Sequence, residues 1–323
     1  MKHTRREFVR TLFVASQAAV AGSFLPMRLL AETAQTPAPD ALNFLVFGDW
    51  GRRGEPDQAE VAAQMTKAAR IFGPKFVVSV GDNFYMNGVK DVHDSHWKES
   101  FEDVYADPAL QVPWHCILGN HDYHEGGDCD AQIAYHKINP RWNMPARYYQ
   151  QTHQIDAKTT ADFFYLDTTP ILGAARLEPK AVANAATQDA AKQLAWFKAA
   201  LAASTAQWKF VFGHHPIYSA RDGHDQTPEM VEKILPLLQE YKVQVFFNGH
   251  DHDLQHLVAG EVNLFDSGAG SRHRDKPMVL SPHSKFAKCC SGFTTVSLQA
   301  EKMNVRMIDN LGTQVYATTV KRV

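Results

Sequence analysis

The sequence predicts an α/β fold. Past residue 41, short apolar runs of strand length alternate with helix-period segments. Several of those runs are apolar throughout instead of alternating with polar residues, the pattern of strands buried on both faces under covering helices. A third observation points to function: five strand patterns end in a glycine followed at once by residues of metal-binding type.

In chain order, Asn43–Phe47 (NFLVF) is the first strand and ends in Gly48-Asp49-Trp50-Gly51. Glu55–Phe72 is a predicted helix with Val61, Met65, Ala68 and Phe72 on one face, stopped by Gly73-Pro74. Phe76–Val80 runs into Gly81-Asp82-Asn83, and Trp114–Leu118 into Gly119-Asn120-His121-Asp122. Asp162–Leu166 is the fourth strand, followed by Asp167-Thr168-Thr169. A helix over 188–203, with Leu194, Phe197 and Leu201 on one side, precedes Lys209–Phe212 and Gly213-His214-His215-Pro216. A helix from Pro228 to about Tyr241 leads into Val243–Phe247 and Gly249-His250-Asp251-His252. Strand patterns near Phe293–Gln299, Asn304–Ile308 and Val315–Val320 predict an antiparallel closure. Residues 123–160 and 171–188 lack periodicity and are expected as long loops, the first over the site. One domain spanning 41–323 is the economical organisation.

The chain has 323 residues, 45% of them hydrophobic, with 33 Lys+Arg against 35 Asp+Glu for a net charge of −2. The apolar fraction excludes wholesale disorder, and the charge balance argues against a nucleic-acid partner held by bulk positive field. Residues 1–34 read as a signal peptide: a basic head (Lys2, Arg5, Arg6, Arg10), an uncharged run from Thr11 to Pro26, and a small-residue exit. Thr4-Arg5-Arg6-Glu7-Phe8 resembles a twin-arginine motif, so the twin-arginine export machinery is an expected partner and the location is periplasmic or secreted. Sixteen residues span about 24 Å as a helix, short of a ~30 Å hydrocarbon core, so no stable membrane anchor is expected after processing. The segment through Ala31 carries five of the basic residues and one of the acidic ones, which leaves the remainder near −6. An anionic substrate must then be drawn by local charge. The four cysteines, Cys116, Cys129, Cys289 and Cys290, have no CxxC spacing. They admit one disulfide in an oxidising compartment, with the pairing open.

In α/β sheets, ligands bind outside the carboxyl ends of the strands, and glycine permits the turn that aims the next side chain there. One mouth of the sheet therefore collects Asp49, Asp82, Tyr85, Asn120, His121, His214, His250 and His252. Carboxylate with imidazole suits iron, zinc or manganese, and phenolate suits ferric iron. A carboxylate between two ions can bridge them, and ions ~3.5–4 Å apart clamp an in-line phosphoryl displacement.

These blocks resemble the calcineurin-like metallophosphoesterase signature. In detail, Phe47-Gly48-Asp49-Trp50-Gly51, Gly81-Asp82-Asn83-Phe84-Tyr85 and Gly249-His250-Asp251-His252-Asp253-Leu254-Gln255 resemble the small purple acid phosphatases of the tartrate-resistant type. Stretches outside the motifs add to it: Ala131–Tyr135, Arg141–Pro145, Gln193–Phe197 and Ser267–Gly270. The resemblance covers about 43–270. It implies a metallophosphoesterase-type β-sandwich of two mixed sheets flanked by helices, with a dinuclear metal site at the C-terminal ends of the strands. It also implies that Asp49, Tyr85 and His252 bind ferric iron, that Asp82 bridges, and that Asn120, His214 and His250 bind a second divalent metal (Fe2+, Zn2+ or Mn2+). Tyr85 is the discriminating residue, since its phenolate on ferric iron makes such proteins purple.

His121, beside the ligand Asn120, would stay unligated, hold a phosphoryl oxygen and protonate the leaving alkoxide as the catalytic acid. Asp122 is read as orienting His121 or buffering the site's charge. His215, where animal relatives commonly carry a phenol, would contact substrate or face solvent. His124 and His273 are read as surface histidines. The expected function is an exported acid phosphatase that hydrolyses small phosphate monoesters by attack of a metal-bound hydroxide. The alternatives are a phosphodiesterase or nucleotidase with the same core and, from another class, a non-catalytic metal- or phosphate-binding protein.

Overall fold

The computed structural model describes residues 40–174 and 176–322. The predicted signal, 1–34, lies outside the described residues. In chain order the first half contains β1 (Leu42–Phe47), α1 (Gln58–Phe72), β2 (Phe76–Ser79), β3 (Trp114–Cys116), α2 (Cys129–Ala134), β4 (Trp142–Asn143), β5 (Tyr149–Gln154) and β6 (Thr160–Tyr165). Then follow α3 (Pro179–Ala185), α4 (Ala190–Ala203), β7 (Trp208–Phe212), β8 (Tyr218–Arg221), β9 (His224–Gln226), α5 (Pro228–Lys233), α6 (Leu235–Glu240) and β10 (Val245–Asn248). The chain closes with β11 (Leu254–Ala259), β12 (Val262–Ser267), β13 (Ser284–Lys288), β14 (Gly292–Leu298), β15 (Lys302–Asp309) and β16 (Gln314–Lys321).

Two seven-stranded mixed sheets face each other. One has the order β16-β15-β14-β1-β2-β3-β4 and the other β13-β11-β12-β10-β7-β6-β5. Strands β1 to β4 are parallel, and β14 joins β1 antiparallel with Leu42 opposite Leu298. In the second sheet β12, β10, β7 and β6 are parallel. The central strands alternate between two buried environments. Phe44 and Val46 of β1 point between the sheets, with Val78, Phe163, Phe210 and Phe247. Leu45 and Phe47 point the other way, onto Trp50 and the α1 residues Val61 and Met65. Strand β7 does the same, with Phe210 and Phe212 inward and Val211 outward toward Phe197 and Leu238. Both faces being apolar is why these strands read as uninterrupted hydrophobic runs.

Several elements differ from expectation. Helix α1 starts at Gln58 rather than Glu55, because the buried Gln58 Oε1 accepts from Arg52 N–H (2.9 Å) and Gly54 N–H (2.8 Å) and holds 52–57 as a turn. Its end is as predicted, at Gly73 in the left-handed conformation. The helix expected over 228–241 is two helices. Pro236 lies at the start of the second and cannot supply the N–H that would continue the first. Residues 123–160 are not one loop: α2, β4 and β5 lie in them, and β5 pairs antiparallel with β6. Helix α3 sits within 171–188. The hairpin of β11 and β12 was not predicted. All four cysteines are free thiols. No helix among the described residues is long and apolar enough to cross a membrane.

Candidate metal centre

The candidate residues follow the C-terminal ends of parallel strands: Asp49 after β1, Asp82 and Tyr85 after β2, Asn120 and His121 after β3, His214 after β7, His250 and His252 after β10. Asp49, Asp82, His250 and His252 all have left-handed backbones, with φ of 60°, 50°, 77° and 54°. Non-glycine residues rarely hold that conformation, which costs on the order of 1–3 kcal/mol each and clusters where function fixes a side chain. The glycines between them are there for space. A Cβ on Gly119 would lie 2.2 Å from Asp82 Oδ1, and one on Gly249 would lie 2.4 Å from Asp49 Oδ2.

These turns converge on one buried cluster with two halves. In the first, the Tyr85 hydroxyl is 2.8 Å from Asp49 Oδ1, 2.9 Å from Asp82 Oδ2 and 2.9 Å from His252 Nε2. In the second, Asn120 Oδ1 is 3.1 Å from both His214 Nε2 and His250 Nδ1, and those nitrogens are 3.4 Å apart. Asp82 stands between the halves, its Oδ2 toward Tyr85 and its Oδ1 3.4 Å from His214 Nε2. Asp49, Asp82 and His252 offer ligand atoms all within 4.8 Å of one another, as do His214, His215 and His250.

The donor chemistry of this cluster fits cations. A phenol has one proton and cannot donate to two carboxylates at once. His214 Nδ1 lies 2.9 Å from the Val80 carbonyl oxygen, so it donates there, and in the neutral ring the Nε2 lone pair faces oxygen atoms. Burial disfavours charge on His214, yet the facing Asp82 and Asp49 carboxylates outweigh it and push its pKa up to about 10. Burial alone would raise Asp82, but His214 and His121 hold it well below the ordinary carboxylate range. Burial, reinforced by Asp49 and Asp82, drives the Tyr85 phenol well above its usual value. The protein alone thus recruits a proton to a cluster short of positive charge, which ions would supply.

His121 lies on the cleft side of Asp82. Its backbone N–H donates to Asp82 Oδ1 at 2.8 Å, and Nδ1 donates to the Met86 carbonyl at 2.8 Å. Nε2 is 4.0 Å from Asp82 Oδ2, and the ring lines an open cleft of about 230 Å³. Asp122 does not orient this ring. Its carboxylate accepts from the backbone N–H groups of Asn83, Phe84 and Gly119 and from Gln132 Nε2, tying the turns after β2 and β3 together. Burial, with Asp82 nearby, raises its pKa to about 6. His124 is not a surface residue: it is buried, its ring 4.3 Å from that of His121 and its Nε2 3.2 Å from Glu178 Oε2. His215 is buried too, with Nδ1 2.8 Å from Thr168 Oγ1, and it lines the cleft rather than solvent.

Two side chains that bear on the site carried no sequence signal. Thr168 Oγ1 accepts from the backbone N–H of His214 (3.2 Å) and His215 (3.1 Å) and so sets that turn. The Arg52 guanidinium lies 3.4 Å from the centre of the Tyr85 ring and is fixed by a 3.0 Å bond from Nε to Ser271 Oγ. A cation over that face favours phenolate.

Comparison with known proteins defines the class. The calcineurin-like phosphoesterase family pattern matches residues 42–254, and the chain belongs to that family. Tartrate-resistant acid phosphatase type 5 of Sus scrofa is 35% identical over 317 residues, covering 91% of this chain and 90% of that protein. Purple acid phosphatase 4 of Arabidopsis thaliana is 35% identical over 300 residues, covering 89% and 86%. Within the family, the chain is therefore an enzyme of the purple acid phosphatase kind, a phosphoester hydrolase. Among solved structures, purple acid phosphatase PPD1 from yellow lupin seeds superposes with a TM-score of 0.65 at 17% identity, covering 89% of this chain and 55% of that one. GAP50, the anchor in the inner membrane complex of Plasmodium, superposes at 0.76 and 24% identity, covering 88% and 89%. At those identities the two superpositions speak to the fold alone.

Proposed function

We propose that this protein is an exported acid phosphatase that hydrolyses phosphate monoesters at an Fe(III)–M(II) centre, M being iron, zinc or manganese. The observation that carries the reading is Tyr85, whose hydroxyl sits between Asp49, Asp82 and His252 in a cluster built to be bridged by Asp82. Asp49, Tyr85 and His252 would hold the ferric ion, Asn120, His214 and His250 the divalent one, and Asp82 both. Ions held there supply a nucleophile from water below neutral pH and neutralise phosphoryl charge. The side chains do the rest. Val80 O fixes the His214 tautomer, and the left-handed turns hold the carboxylates in place before substrate arrives. The Met86 carbonyl holds His121 so that a proton on Nε2 points into the cleft, where it would meet the departing oxygen.

Export rests on residues 1–34 and the Arg5-Arg6 pair, outside the described residues. Replacing both with Lys should leave the protein in the cytoplasm, and normal export of that variant would remove the twin-arginine route. The enzymatic reading is tested by turnover of p-nitrophenyl phosphate against its bis-ester at acid pH. Preference for the monoester is expected. Preference for the bis-ester would make the protein a phosphodiesterase, and no turnover of either by the metal-loaded protein would make it a binding protein.

A further inference from the structure

We propose that Arg221 and Thr227 form a subsite beside the metal centre for a second anionic group carried by the leaving group of the substrate. The inference rests on the reading of the centre as a site of phosphoester hydrolysis.

The cleft that Asp82, Asn120 and His121 line is also lined by Arg221 and Thr227. Arg221 ends β8 and Thr227 follows β9, so the small hairpin presents both. Arg221 is tethered: its Nη1 lies 3.0 Å from Asp251 Oδ1, and its side chain is only 14% exposed. A guanidinium has five N–H donors in a fixed fork, and this contact uses one face of it. Arg221 Nε is buried without a hydrogen-bond partner among the described residues, and so is Thr227 Oγ1, in a residue only 5% exposed. Buried polar atoms left unsatisfied are costly, and these two belong to residues that line the cleft, so a polar group placed against them would relieve that cost.

The charge around them selects the sign of that group. Arg176 and Arg274 line the same cleft. Arg176 is half exposed, and its nearest carboxylate, Glu229, is 3.7 Å away. The carboxylates in the lining are Asp82, which belongs to the metal cluster, and Glu178, which lies against His124 Nε2 at 3.2 Å. Three guanidinium groups gather here in a chain whose body is net negative. The reacting phosphoryl group already has the metal cluster and His121. A leaving group with no second polar group would leave Arg221 Nε and Thr227 Oγ1 without partners, whereas a carboxylate or second phosphoryl oxyanion would accept charge-assisted bonds from both side chains. Because Asp251 holds Arg221 in place beforehand, little ordering cost remains to be met on binding.

A matched ester series tests this on the metal-loaded full-length enzyme: propyl phosphate, carboxyethyl phosphate and propanediol bisphosphate. The wild type should favour the anionic tails in kcat/KM by about tenfold or more, and the carboxylate and bisphosphate arms show which oxyanion fits better. Arg221→Gln should bring that preference close to unity while changing propyl phosphate turnover by less than about threefold. Thr227→Val should reduce the preference in part. Equal rates for all three esters in the wild type, or an equal fall for all three in Arg221→Gln, would overturn the proposal. Should Arg221→Gln fail to fold with Asp251 unpaired, the double variant Arg221→Gln, Asp251→Asn replaces it. Calorimetric binding of propylphosphonate and carboxyethylphosphonate supplies a readout without turnover. A carboxylate advantage that vanishes in the variant supports the subsite even if no ester is hydrolysed, an outcome that would sink the phosphatase reading alone. Equal affinities would sink the subsite.

Discussion

Replacing His121 with Gln separates proton transfer from metal binding. The backbone N–H that donates to Asp82 Oδ1 at 2.8 Å is untouched, so the metal cluster should keep its geometry. What disappears is a ring fixed by the Met86 carbonyl, with Nε2 exposed to the cleft. A positioned general acid contributes about 10²–10⁴ in rate, or roughly 3–5 kcal/mol of barrier. That loss should fall where the departing oxygen needs a proton. An alkyl phosphate such as glycerol phosphate should lose close to the full factor in kcat. p-Nitrophenyl phosphate, whose leaving group is stable as the anion, should lose much less. The assay is kcat on both esters, with metal content and visible spectrum recorded on the same preparations. Equal losses on the two esters with both metals retained would refute the role of His121 as leaving-group acid. A loss of metal would make it a structural part of the centre instead.

Other perturbations have equally definite outcomes. Tyr85→Phe removes the hydroxyl shared by Asp49, Asp82 and His252, and the iron-loaded variant should lose the visible charge-transfer band; an unchanged band would place the chromophore elsewhere. Gly119→Ala puts a carbon 2.2 Å from Asp82 Oδ1 and 2.4 Å from Asp82 N, so it should cost about 1–3 kcal/mol and lower metal occupancy together, read by thermal melting and metal analysis. Unchanged melting and occupancy would mean the turns after β2 and β3 are looser than described. In the metal-free protein, His214 is raised from 6.5 to about 10, so its stabilising contribution is complete below pH 6.5 and is lost as pH rises through 10. The melting temperature of that form should fall over this window. The slope should flatten on metal loading or in His214→Asn, and a slope that survives both would assign it to other groups.

Much of the fold was legible because burial on both faces leaves a plain mark. Strands β1, β2, β7 and β10 are largely apolar for that reason, each broken by a single polar residue: Asn43, Ser79, Lys209 and Asn248. Strand β5 (YQQTHQ) left no such mark, since as an edge strand it exposes Gln150, Thr152 and Gln154. Strand β11 was hidden by Gln255 and His256. Both are buried, and their partners come from distant segments: Gln255 Oε1 accepts from Ala220 N–H, and His256 Nδ1 lies 2.8 Å from Tyr316 Oη. The site divides along the same line. Each candidate ligand follows a strand and a glycine within a few residues, a local pattern that a sequence displays. Arg52 over Tyr85, Glu178 against His124 and Arg221 against Asp251 are set by contacts between separate loops, so nothing adjacent in the chain announces them. Of the two roles read for Asp122, orienting His121 fails for the related reason that this neighbour in sequence is not its partner in space.

The central claim is that one cluster, bridged by Asp82, holds two metal ions. Metal analysis of the purified protein and its Asp82→Ala variant tests it most directly. The wild type should hold about two metal ions per chain, at least one of them iron, and the variant should lose both ions and phosphatase activity. A wild type that binds a single ion, or a variant that keeps both ions and its activity, would contradict it.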